Sequence, residues 1–123
     1  MKAFFLVFLG GGLGSMFRYL VYKTMAHTTY PMYLSTLAVN IIGSLLLGIL
    51  LGYSLKQGNL NQNVLLFLTT GFCGGFTTFS TFAFENQALL RAGDYLNFSL
   101  YSIGSLVTGI LAVVAGLYLA KLL

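Results

Sequence analysis

The sequence predicts an all-α membrane protein: one domain, residues 1–123, of four transmembrane helices with the third broken mid-membrane. Two observations carry the class and a third carries the break. Apolar residues make up 58% of the chain and charged ones 7%, whereas an ordinary soluble domain is about a quarter charged. Long uncharged stretches recur four times. The centre of the third is Gly71-Phe72-Cys73-Gly74-Gly75-Phe76-Thr77-Thr78-Phe79-Ser80-Thr81-Phe82, where adjacent glycines followed by β-branched and hydroxyl residues make a poor continuous helix.

The spans fall at about 3–22, 33–55, 63–91 and 95–120. A helix needs about 20 residues at about 1.5 Å each to cross the hydrocarbon. The first reaches that length only with Arg18 near its end. Only helices or closed barrels satisfy the backbone in lipid, and strand-like alternation is missing. Short breaks separate the runs: His27-Thr28-Thr29-Tyr30-Pro31, Lys56-Gln57-Gly58-Asn59 and Ala92-Gly93-Asp94. Lys2 with the apolar run behind it resembles a signal peptide, but glycines replace the cleavage-site pattern, so it reads as a retained helix.

Eight charges, six positive and two negative, give +4. They sit singly at the ends of runs, which excludes a nucleic-acid surface. His27 reads as a solvated loop residue and Cys73, the sole cysteine, as a small packing residue. The Lys/Arg bias of loops normally sets orientation. Here Lys2, Lys56 and Lys121 share one side while Arg18, Lys23 and Arg91 share the other, an even division. Insertion both ways round is the expectation, and with it an antiparallel two-fold dimer. Four helices alone enclose too little volume for a wet route, which also asks for a second copy. Rows of small residues offer close-approach faces: Gly10 and Gly14; Ser44, Gly48 and Gly52; Gly71 and Gly75.

Polar residues at mid-membrane are costly and are usually functional. Asn40 shares a helix row with Ser44 and Gly48; a helix–helix hydrogen bond and a donor aimed into a pore are both open. The expected break within Gly71–Phe82 would free carbonyls for a cation and present a half-helix N-terminus to an anion. Phe76, Phe79 and Phe82 recur every third residue, so a plain lipid-facing stripe does not fit. Tyr101, Ser105 and Thr108 fall on one face of the last span as a hydroxyl stripe, although each Ser or Thr could bond its own helix instead. Arg18 either snorkels to the headgroups or forms a positive mouth. Glu85 either pairs with a cation or marks a pore end. Amide, hydroxyl and phenyl-edge donors without a central carboxylate suit a small anion.

These residues resemble the Fluc, or CrcB, fluoride channels. The matching pieces are Gly10-Gly11-Gly12-Leu13-Gly14 with Arg18-Tyr19, Thr36-Leu37-Ala38-Val39-Asn40 with Gly43, and the run Gly71–Phe82, the most specific. The resemblance implies an antiparallel dual-topology homodimer in the bacterial plasma membrane, surrounded by lipid, that exports fluoride down its electrochemical gradient and relieves its toxicity. It implies a structural Na+ at the dimer interface on the main-chain carbonyls of Gly74 and Thr77. It assigns a fluoride path to Asn40, Phe79, Phe82, Ser80, Thr81, Tyr101 and Ser105, with Glu85 at its end and Arg18 in a vestibule. At Gly109 the chain lacks a hydroxyl that family members can carry. No enzyme is expected, since the chain has one His, one Cys and no carboxylate pair within a span. The rivals are a small dual-topology proton-coupled exporter, which needs a deep titratable carboxylate, and a structural or lytic protein, which needs no polar lining.

Overall fold

The computed structural model describes residues 1–58 and 60–123; Asn59, the last residue of the second predicted break, lies outside them. All regular secondary structure among the described residues is helical. Helix α1 runs Lys2–Met25, α2 Tyr33–Gln57, α3 Gln62–Leu66, α4 Gly74–Phe76, α5 Phe79–Arg91 and α6 Tyr95–Leu122, with a π-helical turn over Phe67–Cys73 between α3 and α4. Four segments are long and apolar enough to cross a membrane: α1, α2, the composite Gln62–Arg91, and α6. Helix α1 continues past Arg18, and its 24 residues extend about 36 Å. Arg18 therefore lies about two turns inside the helix.

The ends follow from local chemistry. Gly58, with φ 63°, closes α2 in the left-handed conformation that costs glycine little. Asn61 Oδ1 accepts the Asn63 N–H at 2.9 Å and opens α3. At the Ala92-Gly93-Asp94 break, the Gly93 N–H donates to the Leu90 carbonyl and the Asp94 N–H to the Leu89 carbonyl. Gly93 has φ 71°, so this is a paired C-terminal closure of α5. Asp94 then caps α6, its Oδ1 accepting the Asn97 N–H at 3.2 Å. One glycine and one aspartate thus stop one helix and start the next.

Packing makes use of the small residues inside the chain. Helices α2 and α6 form the most extensive pair. A Cβ on Gly48 would strike the Val113 carbonyl, and one on Gly116 the Leu45 carbonyl. On the other side α1 lies against the π turn and α4: a Cβ on Gly10 would lie 2.9 Å from the Phe72 nitrogen and 3.0 Å from the Gly71 Cα. Removing side-chain bulk lets main chains touch where hydrophobic burial supplies little drive. The rows expected to face a second copy, Gly10/Gly14, Gly48/Gly52 and Gly71/Gly75, are therefore occupied within the protomer.

The third span breaks, but not at its glycines. Gly74 and Gly75 stay helical, and α1 packs against Gly75, where a Cβ would lie 2.9 Å from the Gly11 Cα. Thr77 (φ −81°, ψ 161°) and Thr78 (φ −151°, ψ 120°) carry the break in extended conformation, which β-branched residues favour. Thr78 also caps α5, its Oγ1 accepting the Thr81 N–H at 3.3 Å.

Candidate functional site

Two extended residues leave several main-chain groups without helical partners, and three side chains from α1 and α2 satisfy them. In a continuous helix the Thr78 N–H would bond the Gly74 carbonyl. It donates instead to Asn40 Oδ1 at 2.8 Å, while Asn40 Nδ2 donates to the Thr78 carbonyl at 3.0 Å. The Asn40 amide thus clamps both polar groups of one residue, and its second N–H remains for another acceptor. Arg18 Nη1 donates to the Thr77 carbonyl at 3.1 Å, and Ser15 Oγ to the Gly75 carbonyl at 3.4 Å. Arg18 thus places its guanidinium on a carbonyl that the break has freed. That disposition is reasonable for a permanent cation inside a span, where such charges pair with backbone oxygen.

In front of the break lies a groove of about 610 Å³. Helix α2 contributes Asn40 and Ser44, the break contributes Gly74, Thr77 and Thr78, and α6 contributes Ser105 and Gly109. Phe79 and Phe82 border it, and among the described lining residues none is charged. Phe79 is 78% exposed on the isolated chain. Its ring begins an aromatic chain, 5.7 Å from Phe82, which lies 5.1 Å from Tyr101, which lies 5.0 Å from Tyr33. Phe76 falls out of this series; the break changes the helical phase, and its ring is buried and stacked on Phe72 at 5.8 Å.

The hydroxyls divide into engaged and free. Ser105 Oγ is buried and has no partner among the described residues. Thr108, expected beside it in the stripe, turns its hydroxyl onto its own helix and donates to the Gly104 carbonyl at 2.6 Å. Ser80 and Thr81 occupy the first turn of α5, both within reach of Thr78 Oγ1, at 3.3 and 3.1 Å. Tyr101 is 4% exposed, and its phenol donates to Glu85 Oε2 at 2.7 Å. Glu85 Oε1 accepts from Thr36 Oγ1 at 2.8 Å. Helix α5 continues past Glu85 to Arg91, and the partners of the Glu85 carboxylate are hydroxyls rather than a cation. Asn40, Phe79, Phe82 and Ser105 thus gather in the groove. Tyr101 and Glu85 sit one step beyond it, and Arg18, Ser80 and Thr81 flank the break.

Ser15, Tyr22 and Thr36 also belong to this assembly, and reading the sequence alone gives them no role. A signal existed: Ser15, Arg18 and Tyr22 share one face of α1, and Thr36, Asn40 and Ser44 are spaced by four on α2. For a cation, the chain offers main-chain oxygen at Gly74 and Thr77, the ligand type a hard ion takes. Both carbonyls have lost their helical donors, since the Thr81 N–H that would serve Thr77 bonds Thr78 Oγ1.

The family model of the CrcB-like protein, camphor resistance (CrcB), matches residues 5–117. The chain is similar to proteins named fluoride-specific ion channel FluC. That of Bacteroides fragilis is 46% identical over 125 residues, covering 98% of each chain. That of Gloeothece citriformis is 48% identical over 117 residues, covering 94% of each. That of Azobacteroides pseudotrichonymphae is 43% identical over 122 residues, covering 98% of each. With four spans, a helix broken at two threonines and matches along nearly its whole length, this multi-pass membrane chain belongs to the CrcB-like family.

Proposed function

We propose that the chain is a fluoride-selective channel that lets the anion leave the cell down its electrochemical gradient and so limits its toxicity. One observation carries the reading. The groove gathers a spare amide N–H of Asn40, the unpartnered Ser105 hydroxyl and the rings of Phe79 and Phe82, with no charged lining residue described. Such donors can replace water around a small anion without holding it at a full charge. The N-terminal end of α5, with Ser80 and Thr81, adds a favourable partial charge. The names of the relatives support fluoride as the ion.

An open groove that holds the Asn40 amide and the freed Gly74 carbonyl cannot face acyl chains without cost. The occupant we assign is a second, antiparallel copy of the chain, consistent with its evenly divided Lys/Arg loops. A Na+ at that interface would take the Gly74 and Thr77 carbonyls of both copies and would hold the two breaks together. Two carbonyls from one chain form only part of a coordination shell, so this cation belongs to the assembled dimer. Arg18 on the same Thr77 carbonyl limits the lone pairs left for it.

A proton-coupled exporter would need a carboxylate free to exchange protons with a substrate. Glu85 is the acid inside a span, and both its oxygens are engaged by hydroxyls; the relatives carry the name of a channel. Proteoliposomes holding the wild-type protein should release fluoride, read with a fluoride electrode, and should retain chloride. Equal release of both anions would end the selectivity reading.

A further inference from the structure

Beyond the groove, the carboxylate of Glu85 sits in a chain of hydroxyls drawn from the other three spans. Thr36 Oγ1 donates to Glu85 Oε1 at 2.8 Å, and Tyr101 donates to Oε2 at 2.7 Å. Tyr22 on α1 places its phenol oxygen 2.5 Å from Thr36 Oγ1. A threonine hydroxyl has one proton and two lone pairs. With the Thr36 proton on Glu85, the Tyr22 contact requires the phenol to be the donor. The polarity is thus settled: Tyr22 to Thr36 to Glu85, met from the other side by Tyr101. Thr36 is 0% exposed and Tyr101 4% exposed, so water does not exchange freely into these positions.

We propose that Tyr22 is a positioning residue for Glu85, acting through Thr36. By donating to Thr36 it sets the one rotor orientation that gives the carboxylate its second donor. This rests on reading the groove as a fluoride route, and it explains how the far end of that route is held. Glu85 supplied from two sides does not depend on Tyr101 alone, so the Tyr101 phenol, whose ring meets that of Phe82 at 5.1 Å and 60°, can turn toward an arriving anion. Without the Tyr22 hydroxyl, Thr36 is free to rotate onto a carbonyl of its own helix. Glu85 then retains only the Tyr101 proton and competes with the anion for it.

Glu85 is the single glutamate of the chain, so protein labelled with carboxyl-13C glutamate reports it alone in the infrared. In bilayers, Tyr22→Phe should shift the labelled carboxylate stretch in the same direction as Thr36→Val, and the double variant should shift it no further. Thr36→Ser keeps the hydroxyl and should leave the band in place. Fluoride efflux should fall about fivefold in Tyr22→Phe, the equivalent of one neutral hydrogen bond, and no further in the double variant. An unmoved band in Tyr22→Phe, additive shifts, or a shift in Thr36→Ser overturns the positioning role. If a wild-type protein passes no fluoride while its band still follows Tyr22, the channel reading fails and the hydroxyl chain stands without its proposed purpose. Wild-type flux with an unresponsive band removes this inference alone.

Discussion

Where the third span meets α1, Gly10 and Gly71 bring two main chains into contact, and Ser15 and Arg18 occupy the carbonyls of Gly75 and Thr77. Where the same span meets the groove, Ser105 keeps an unused hydroxyl, Asn40 keeps an unused N–H, and Phe79 stands 78% exposed. Both regions are built from glycine, hydroxyl and aromatic residues. They differ in whether each polar or small group has found its partner. The satisfied side is a structural seam, and the unsatisfied side is where an ion or a second copy can be received. Substitutions should therefore act on folding at the seam and on conduction at the groove.

The largest effect belongs to the seam. Gly10→Leu forces a side chain into the Phe72 and Gly71 main chain, which cannot retreat as a flexible side chain would. Overpacking typically costs about 1–3 kcal/mol, and more where, as here, only main chain could move, a large fraction of the roughly 5–15 kcal/mol that holds a domain folded. Size-exclusion chromatography and thermal unfolding in detergent should show little folded protein, and flux should vanish with it. A well-folded Gly10→Leu would show that the seam is loose.

Next come the groove residues whose loss stops conduction while leaving a folded chain. Asn40→Asp removes the donor to the Thr78 carbonyl and the spare N–H together. Two hydrogen bonds at about 1–1.5 kcal/mol each correspond to about a hundredfold slower fluoride efflux. Phe79→Ile removes a ring edge whose side chain is mostly exposed in the single chain, so unfolding should hardly move while efflux drops to background. Unchanged flux in both variants would take these residues off the route.

How much of this was readable beforehand depends on which partners a residue finds. The four spans followed from the length of uncharged runs, because a bilayer leaves few alternatives. The break was readable as a region but not as a position. Composition marked the run Gly71–Phe82, and within it the break falls at the β-branched Thr77 and Thr78 while Gly74 and Gly75 stay helical. The small-residue rows were readable as packing faces, but nothing local says whether the partner is the same chain or another. The π-helical turn over Phe67–Cys73 has no local signature in the residues. Arg18 was read as snorkelling to the headgroups or forming a positive mouth, and its bond to Thr77 was not foreseen because that carbonyl is 59 residues away in sequence.

Ser105 sharpens the comparison at smaller scale. A buried hydroxyl without a partner costs about 1–3 kcal/mol, so Ser105→Ala should leave thermal stability unchanged or raised. If the hydroxyl faces the ion, efflux should fall about fivefold, the worth of one neutral donor. A fall in both together would mean that the hydroxyl is structural and finds a partner in the assembled protein.

Thr108 provides the smallest expected effect and the cleanest contrast with Ser105, one turn away on the same helix. Its hydroxyl already donates to the Gly104 carbonyl at 2.6 Å, and that carbonyl also serves as an acceptor within α6, so it is not stranded when the hydroxyl goes. Valine has the same shape and is no worse a helix former. Thr108→Val should therefore change unfolding by no more than about 0.5 kcal/mol and leave fluoride efflux at the wild-type rate. If Thr108→Val slowed efflux as much as Ser105→Ala, the distinction between satisfied and free hydroxyls would fail as a guide to the route. The stripe would then work as a whole, with Thr108 turning away from its own helix when an ion passes.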